Sequence, residues 1–239
     1  MTETTMEIEQ ERHVLVIFPH PDDEAFGVSG TIAVHTERKT PVTYACLTLG
    51  EMGRNLGNPP FATRESLPDI RKAELQKAAA AIGIQDLRMM GLRDKTLEFE
   101  DDQKMMNLVT DLINELDPSL IITFYPGYSV HPDHEATARA VVRAVRVLEA
   151  DKRPKLHCVA FANNTLEEIG AADIRYDIRH VYDKKMDAMK AHISQTIWML
   201  KDLESSVAAE GSELHDRFNY EHFWTYTFDE KDKVSEIKS

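Results

Sequence analysis

Short apolar runs that alternate with helix-forming stretches constrain the fold of this chain more than any other feature. VLVIF covers residues 14–18, VTYACLTL 42–49, LIITF 120–124 and LHCVAF 156–161, and LRMM at 87–90 is a shorter fifth run. Each is too short for a core helix and is bounded by Pro, Gly or polar residues, as strands buried on both faces are. Between them, residues 25–38, 70–82, 103–116, 134–148 and 183–203 read as helices. In the last of these Met186, Met189, Ile193, Ile197 and Leu200 recur at spacings of three and four, which marks a core-facing stripe. FWTYTF at 223–228 adds a last strand, and polar residues 204–220 read as a mobile loop. Strands alternating with helices predict an α/β fold, a Rossmann-like and mostly parallel sheet flanked by helices, in a single domain. The domain runs over residues 13–228, after a polar N-terminal extension at 1–12 and before a solvated tail at 229–239. The 239 residues suffice for one full core.

Charge narrows the partners. With 28 basic and 41 acidic residues the net charge is −13, so neither nucleic acid nor an anionic membrane surface is expected, while a few local arginines still permit a small anionic ligand. No apolar run reaches the roughly 20 residues of a bilayer span, and MTETTMEIEQER lacks the apolar stretch of a secretory signal. Cys46 and Cys158 lie inside strand-like runs and read as buried thiols of a reducing compartment, with the cytoplasm as the expected location.

Two clusters carry chemistry. Pro19-His20-Pro21-Asp22-Asp23-Glu24 follows the first strand directly, and His131-Pro132-Asp133-His134 follows the strand at 120–124. Ligand sites in open α/β sheets form beyond the carboxyl ends of strands, so the clusters meet in one crevice if those strands are neighbours. Two histidines and a carboxylate are a usual protein set for a catalytic zinc, and the same donors suit ferrous iron. A histidine in a loop is ordinarily a surface residue, and an Asp-Asp pair ordinarily caps a helix. Two such clusters, each after an apolar strand, favour a metal site, but spacing leaves open which aspartate is the ligand.

PHPDDE followed at a distance by HPDH resembles the LmbE/PIG-L family of metal-dependent N-deacetylases. TLGEMGR at 48–54, IRKAE at 70–74 and KAHISQ at 190–195 resemble further motifs of that family, and the likeness runs from about His13 to Phe228. GEMGRNLGNPPFA and GLRDKTLEFEDD resemble its second bacillithiol-pathway type, which acts on N-acetylglucosaminyl-malate. The resemblance implies a zinc enzyme (Fe2+ being the alternative) with His20, Asp23 and His134 as metal ligands and Asp22 as general base. It implies a protonated His131 at the oxyanion or leaving amine, with Asp133 orienting it and raising its pKa. It also implies an amino-sugar substrate and a homo-oligomer. Arg54, Arg64, Arg71 and Arg93 fall in or near segments expected to face the crevice, as partners for a substrate carboxylate or as solvated charges. Asp94 is a candidate for sugar hydroxyls or for shaping the turn, Tyr128 is a candidate substrate contact, and His192 lies near the metal, as the family motif implies, or in the core. Some members of the family carry a tyrosine two residues before the first histidine of HPDH. Here Ser129 holds that place, and Tyr128 is the nearest tyrosine.

Rival readings are a hydrolase for another N-acyl amino sugar or thiol-sugar conjugate, a dinucleotide-binding module, and a non-catalytic sugar or metal binder. PHPDDEAFGVSG at 19–30 lacks the G-x-G-x-x-G that dinucleotide binding needs after the first strand. A pure binder has no use for Asp22 and His131 together.

Overall fold

VLVIF becomes the centre of a sheet because all five of its residues find apolar cover. In the structure, a computed structural model that describes residues 5–198 and 213–228, β1 (Val14–Phe18) is buried along its whole length. It pairs in parallel with β2 (Val42–Cys46) on one side, Val14 opposite Val42 and Phe18 opposite Cys46. On the other side lies β4 (Leu120–Phe124), Val14 opposite Leu120. With β3 (Asp86–Met89), β5 (Lys155–Val159), β6 (Ile174–Asp177) and β7 (Tyr220–Thr225), the seven strands run in the order β3-β2-β1-β4-β5-β7-β6. β1 to β5 are parallel, and β7 is antiparallel to both neighbours. β6, with the sequence IRYD, has no long apolar run to announce it.

Alternate residues of β1 feed two cores, as strand pleating requires. Val14, Val16 and Phe18 pack with α1 (Asp23–Gly27), α2 (Ser29–Glu37) and α3 (Leu67–Ala81), through Val28, Ile32, Leu75 and Ala78 among others. Leu15 and Ile17 pack on the opposite face with α4 (Asp102–Leu116) and α5 (Pro132–Arg146). α6 (Thr165–Glu168), α7 (Tyr182–Ala191) and α8 (Glu213–Asn219) complete the helices named here. Met186 and Met189 of α7 are core residues, whereas Ile193 is 44% exposed.

Two helices read as continuous are broken at buried carboxylates. The 25–38 segment splits at Val28 (φ −145°, ψ 7°), because Glu221 of β7 takes the N–H groups of Gly30 and Thr31 and so caps a new helix. Lys185 of α7 neutralises Glu221 at 2.6 Å, both side chains being 1% exposed. The 183–203 segment breaks at His192, where Glu24 holds the ring at 2.6 Å and Glu74 accepts from the N–H and hydroxyl of Ser194. Residues 193–198 then resume as helix, and 199–203 lie outside the described residues. Of the expected loop at 204–220, residues 204–212 also lie outside them, while Glu213–Asn219 is helical. The tail at 229–239 is outside them too. In the polar N-terminal segment, Ile8 joins the core and the Met6 N–H donates to the Arg175 carbonyl. No helix among the described residues is long and apolar enough to cross a membrane, and Cys46 and Cys158 are both buried thiols.

Candidate active site

β1 and β4 are adjacent, and the connection order reverses between them, so their carboxyl ends open on the crevice where such sheets bind ligands. The loop after β1 is tied to its neighbour: the Pro19 carbonyl accepts from the N–H and hydroxyl of Thr48, and Tyr44 donates to the His20 carbonyl. The backbone then turns through Asp22 at φ 102°, and on the facing loop through Val130 at φ 66°. Left-handed φ at a β-branched residue is costly, and such strain concentrates where a site over-determines the backbone.

His20 Nδ1 lies 3.2 Å from His134 Nε2, and the Asp23 carboxylate stands 3.4 Å from the first and 3.3 Å from the second. Ligands 2.0–2.1 Å from a tetrahedral ion are spaced by about 3.3 Å, so these three groups have the spacing of one face of a zinc-like site. The hydrogen bonds behind them assign the tautomers. His134 Nδ1 donates to the Ser129 carbonyl at 3.1 Å, which turns a lone pair on Nε2 toward His20. His20 Nε2 faces Asp133 and Asp94, each at 3.1 Å, which leaves Nδ1 as the inward acceptor. Acceptors thus converge on one point, and that arrangement demands positive charge. Protons respond accordingly. Burial opposes charging His20, but its hydrogen bonds to Asp133, Asp23 and Asp94 hold its pKa well above the ordinary value. Burial would raise Asp23, yet His134 and His20 outweigh it and hold the carboxyl low. A divalent cation meets the same demand, and the donor set fits one.

His20, Asp94 and Asp133 also lie close enough to hold an ion, as do His20, His131 and His134. The two outer carboxylates are already engaged. Asp133 accepts the N–H groups of Lys95 and Leu97, and Asp94 accepts that of Met52. They serve as braces for His20, with Asp23 and His134 on its other nitrogen.

Asp22 sits beside this centre. Arg71 Nη2 holds its Oδ2 at 3.0 Å, and the side chain stays 19% exposed. Burial raises its pKa, with Arg71 opposing. Arg71 reaches it only because residue 50 is glycine: at φ 61°, a Cβ there would fall 1.9 Å from the guanidinium. His131 caps α5, its Nδ1 accepting the Asp133 N–H at 3.1 Å, so the proton sits on Nε2. Burial lowers its pKa, and the neighbouring His20 and His134 add to this.

His20, Asp22, Asp23, Asp94, His131 and His134 all line one cleft of about 390 Å³, joined by Arg54, Arg71, Gly53 and Lys95. Several expected details differ. The Asp133 carboxylate hydrogen-bonds His20 rather than His131, which instead accepts the Asp133 backbone N–H. The His131 pKa is lowered, not raised, because burial and the neighbouring His20 and His134 outweigh the upward pull of Asp133 and Asp23. Arg71, expected at the substrate, is 4% exposed and spends its guanidinium on Asp22 and the Gly50 and Pro21 carbonyls. Asp94 is engaged by His20 and Met52. Tyr128 donates to Glu168 at 2.9 Å and lines neither this cleft nor the adjoining cavity. His192 takes the core place, the alternative of its two readings, fully buried against Glu24 and not on the cleft. Arg64 braces the loop carbonyls of Glu51 and Gly53. Sequence reasoning overlooked Lys95 and Glu24. The only signals for them were their places next to Asp94 and inside PHPDDE.

Known proteins resemble this chain in sequence and in fold. The family model described as PIG-L, GlcNAc-PI de-N-acetylase, matches residues 15–145. The probable N-acetyl-alpha-D-glucosaminyl L-malate deacetylase 2 of Bacillus anthracis is 49% identical over 226 residues, 95% of this chain and 100% of its own. Its namesake in Bacillus subtilis (strain 168) is 50% identical over 218 residues, 91% of this chain and 99% of its own. Among solved structures, N,N'-diacetylchitobiose deacetylase from Pyrococcus horikoshii superposes with a TM-score of 0.68 at 22% identity, covering 90% of this chain and 84% of that one. The 4-carboxy-2-hydroxymuconate hydratase GalB from Pseudomonas putida KT2440 reaches 0.66 at 18% identity, covering 93% and 99%. Those two likenesses are of fold alone, and a hydratase among them indicates that the fold by itself does not select a reaction.

Proposed function

This chain belongs to the GlcNAc-PI de-N-acetylase (PIG-L) family, and on that premise we propose that it hydrolyses the N-acetyl group of N-acetyl-α-D-glucosaminyl L-malate at a divalent metal. The observation that carries the reading is the convergence of His20 Nδ1, His134 Nε2 and the Asp23 carboxylate within 3.2–3.4 Å of one another, with Asp22 alongside. His20, Asp23 and His134 are the proposed ligands. Nitrogen and oxygen donors in this number suit zinc first and ferrous iron next. Such an ion, when bound, supplies a Lewis acid and lowers the pKa of water from 15.7 to about 7.

The rest of the chemistry belongs to side chains. Asp22 takes a proton from the attacking water, its carboxylate oriented by Arg71. As water adds to the acetamide carbonyl, negative charge grows on oxygen, and the Nε2–H of His131 donates to it. Asp22 returns its proton to the nitrogen, the C–N bond breaks, and acetate and the free amine result. Asp133 and Asp94 hold the ring of His20. Arg54 and Lys95, both exposed on the cleft, offer cationic partners for the malate carboxylates.

The test is mass spectrometry of acetate and free amine released from N-acetylglucosaminyl-malate, with N,N'-diacetylchitobiose run in parallel. Release from the malate conjugate at least tenfold faster is expected. Faster release from chitobiose, or none from either, overturns the substrate assignment.

A further inference from the structure

Asp23 and His134 are shared by two cavities, and only one of them has an aromatic wall. One is the charged cleft already described, of about 390 Å³. The other, of about 560 Å³, has an apolar wall of Phe26, Phe124, Val159, Phe161 and Trp224, with Gly27 also on its lining and Arg217, Glu221 and His222 on its polar part. Phe124 stacks on the His134 ring at 4.1 Å between centroids, so the aromatic wall begins against the proposed metal centre itself. Asp22 and His131 line the charged cleft and are absent from the aromatic cavity.

That asymmetry orients the scissile amide. Its nitrogen must receive a proton and its carbonyl oxygen a hydrogen bond, and both partners stand in the charged cleft. The sugar follows the nitrogen, and its hydroxyls and carboxylates meet Arg54 and Lys95 there. The acyl substituent leaves the carbonyl carbon on the opposite side. We infer that the N-acyl group occupies the aromatic cavity, and that the enzyme hydrolyses straight-chain N-acyl groups well beyond acetyl. The inference rests on the amide-hydrolase reading above and adds its acyl specificity. An acetyl methyl is about the size of one water, ~30 Å³, and leaves nearly all of this cavity unfilled. Each further methylene moved from water onto apolar walls is worth up to about fourfold in binding. A Cβ added at Gly27, a residue of the cavity lining, meets only the Val159 methyls, at 3.9 and 4.0 Å, so a side chain can start at this position without a clash at Cβ.

The test compares N-acetyl- and N-hexanoylglucosaminyl-malate in wild type and Gly27→Leu, with calorimetric binding of acetate and hexanoate as a second readout. The expected result has wild-type kcat/KM for hexanoyl within tenfold of acetyl or above it. Gly27→Leu then lowers the hexanoyl-to-acetyl ratio at least tenfold, and hexanoate binds wild type more tightly than acetate does but loses that advantage in the variant. Hydrolysis of the acetyl substrate with hexanoyl more than tenfold slower overturns the acyl assignment alone. So does an unchanged ratio in Gly27→Leu. If the acetyl conjugate itself is not hydrolysed, the amide-hydrolase reading fails and takes this inference with it.

Discussion

His131 is built as a neutral donor. Protonating Nδ1 would cost its bond from the Asp133 N–H at the start of α5, and burial beside two other imidazoles lowers its pKa. A helix N-terminus disfavours added positive charge for the same reason. Loss of one oxyanion donor typically lowers kcat by 10²–10³, so His131→Ala should lose about that much while keeping its metal. His131→Gln, whose amide donates a hydrogen bond but transfers no proton, should recover part of the loss; activity no better than that of His131→Ala would show that proton transfer is required. The two neighbouring aspartates separate by the same logic. Asp22→Asn should retain metal by elemental analysis and lose on the order of 10² or more in kcat. Asp23→Asn or His134→Ala should lose the metal. Metal loss from Asp22→Asn with retention by Asp23→Asn would reverse the assignment.

At the scale of elements, α5 does two jobs. His131 caps it, its first turn carries Asp133 and His134, and Glu135 reaches back to the preceding loop. That carboxylate accepts from the N–H groups of Gly127 and Ser129 and from the Ser129 hydroxyl. The loop in turn presents the Ser129 carbonyl to His134 Nδ1, so Glu135 acts on the proposed metal through the backbone. Outer hydrogen-bond partners of ligands are commonly worth 10–100-fold in metal affinity. Glu135→Ala should weaken zinc binding by about that factor in a chelator competition, and Glu135→Gln by less. Unaltered affinity in the alanine variant would mean that the loop holds its shape without Glu135.

Across the whole molecule, two buried histidines contribute to the response to acid. Both ring nitrogens of His35 in α2 lack a partner among the described residues, as does Nδ1 of His157 in β5. Burial, the largest influence, lowers each pKa to about 4. Around them Glu11 pulls upward and Lys155 downward, joined by Arg38 at His35 and by Asp173 and Glu9 at His157. Unfolded, each takes a proton below about 6.5; folded, each refuses it until about 4. Their contribution is therefore undiminished above pH 6.5 and is lost as pH falls from 6.5 to 4, by roughly 3 kcal/mol each at the lower end. The urea midpoint should drop between pH 7.5 and pH 5, and less steeply in a His35→Leu, His157→Leu double variant. An equal drop in both proteins would place the acid sensitivity elsewhere, the proposed metal ligands being the next place to look.

Strand positions were readable along the chain because VLVIF, VTYAC and LIITF are apolar on both faces, a pattern that only a sheet covered on both sides can use. PHPDDE and HPDH were readable as one site because each follows such a strand. What the linear order could not contain was contact across it. Glu221 splits a helix 190 residues away, and Glu24 and Glu74 break another at His192. Asp133 turns its side chain to His20 and only its backbone to His131, and Arg71 is drawn inward past Gly50. Local pattern determines which segments are strands and which residues can do chemistry, since hydrophobic period and side-chain type are properties of the chain itself. Partners of buried charges are decided by tertiary packing alone, because a carboxylate taken out of water must accept from whichever donors the fold brings within reach.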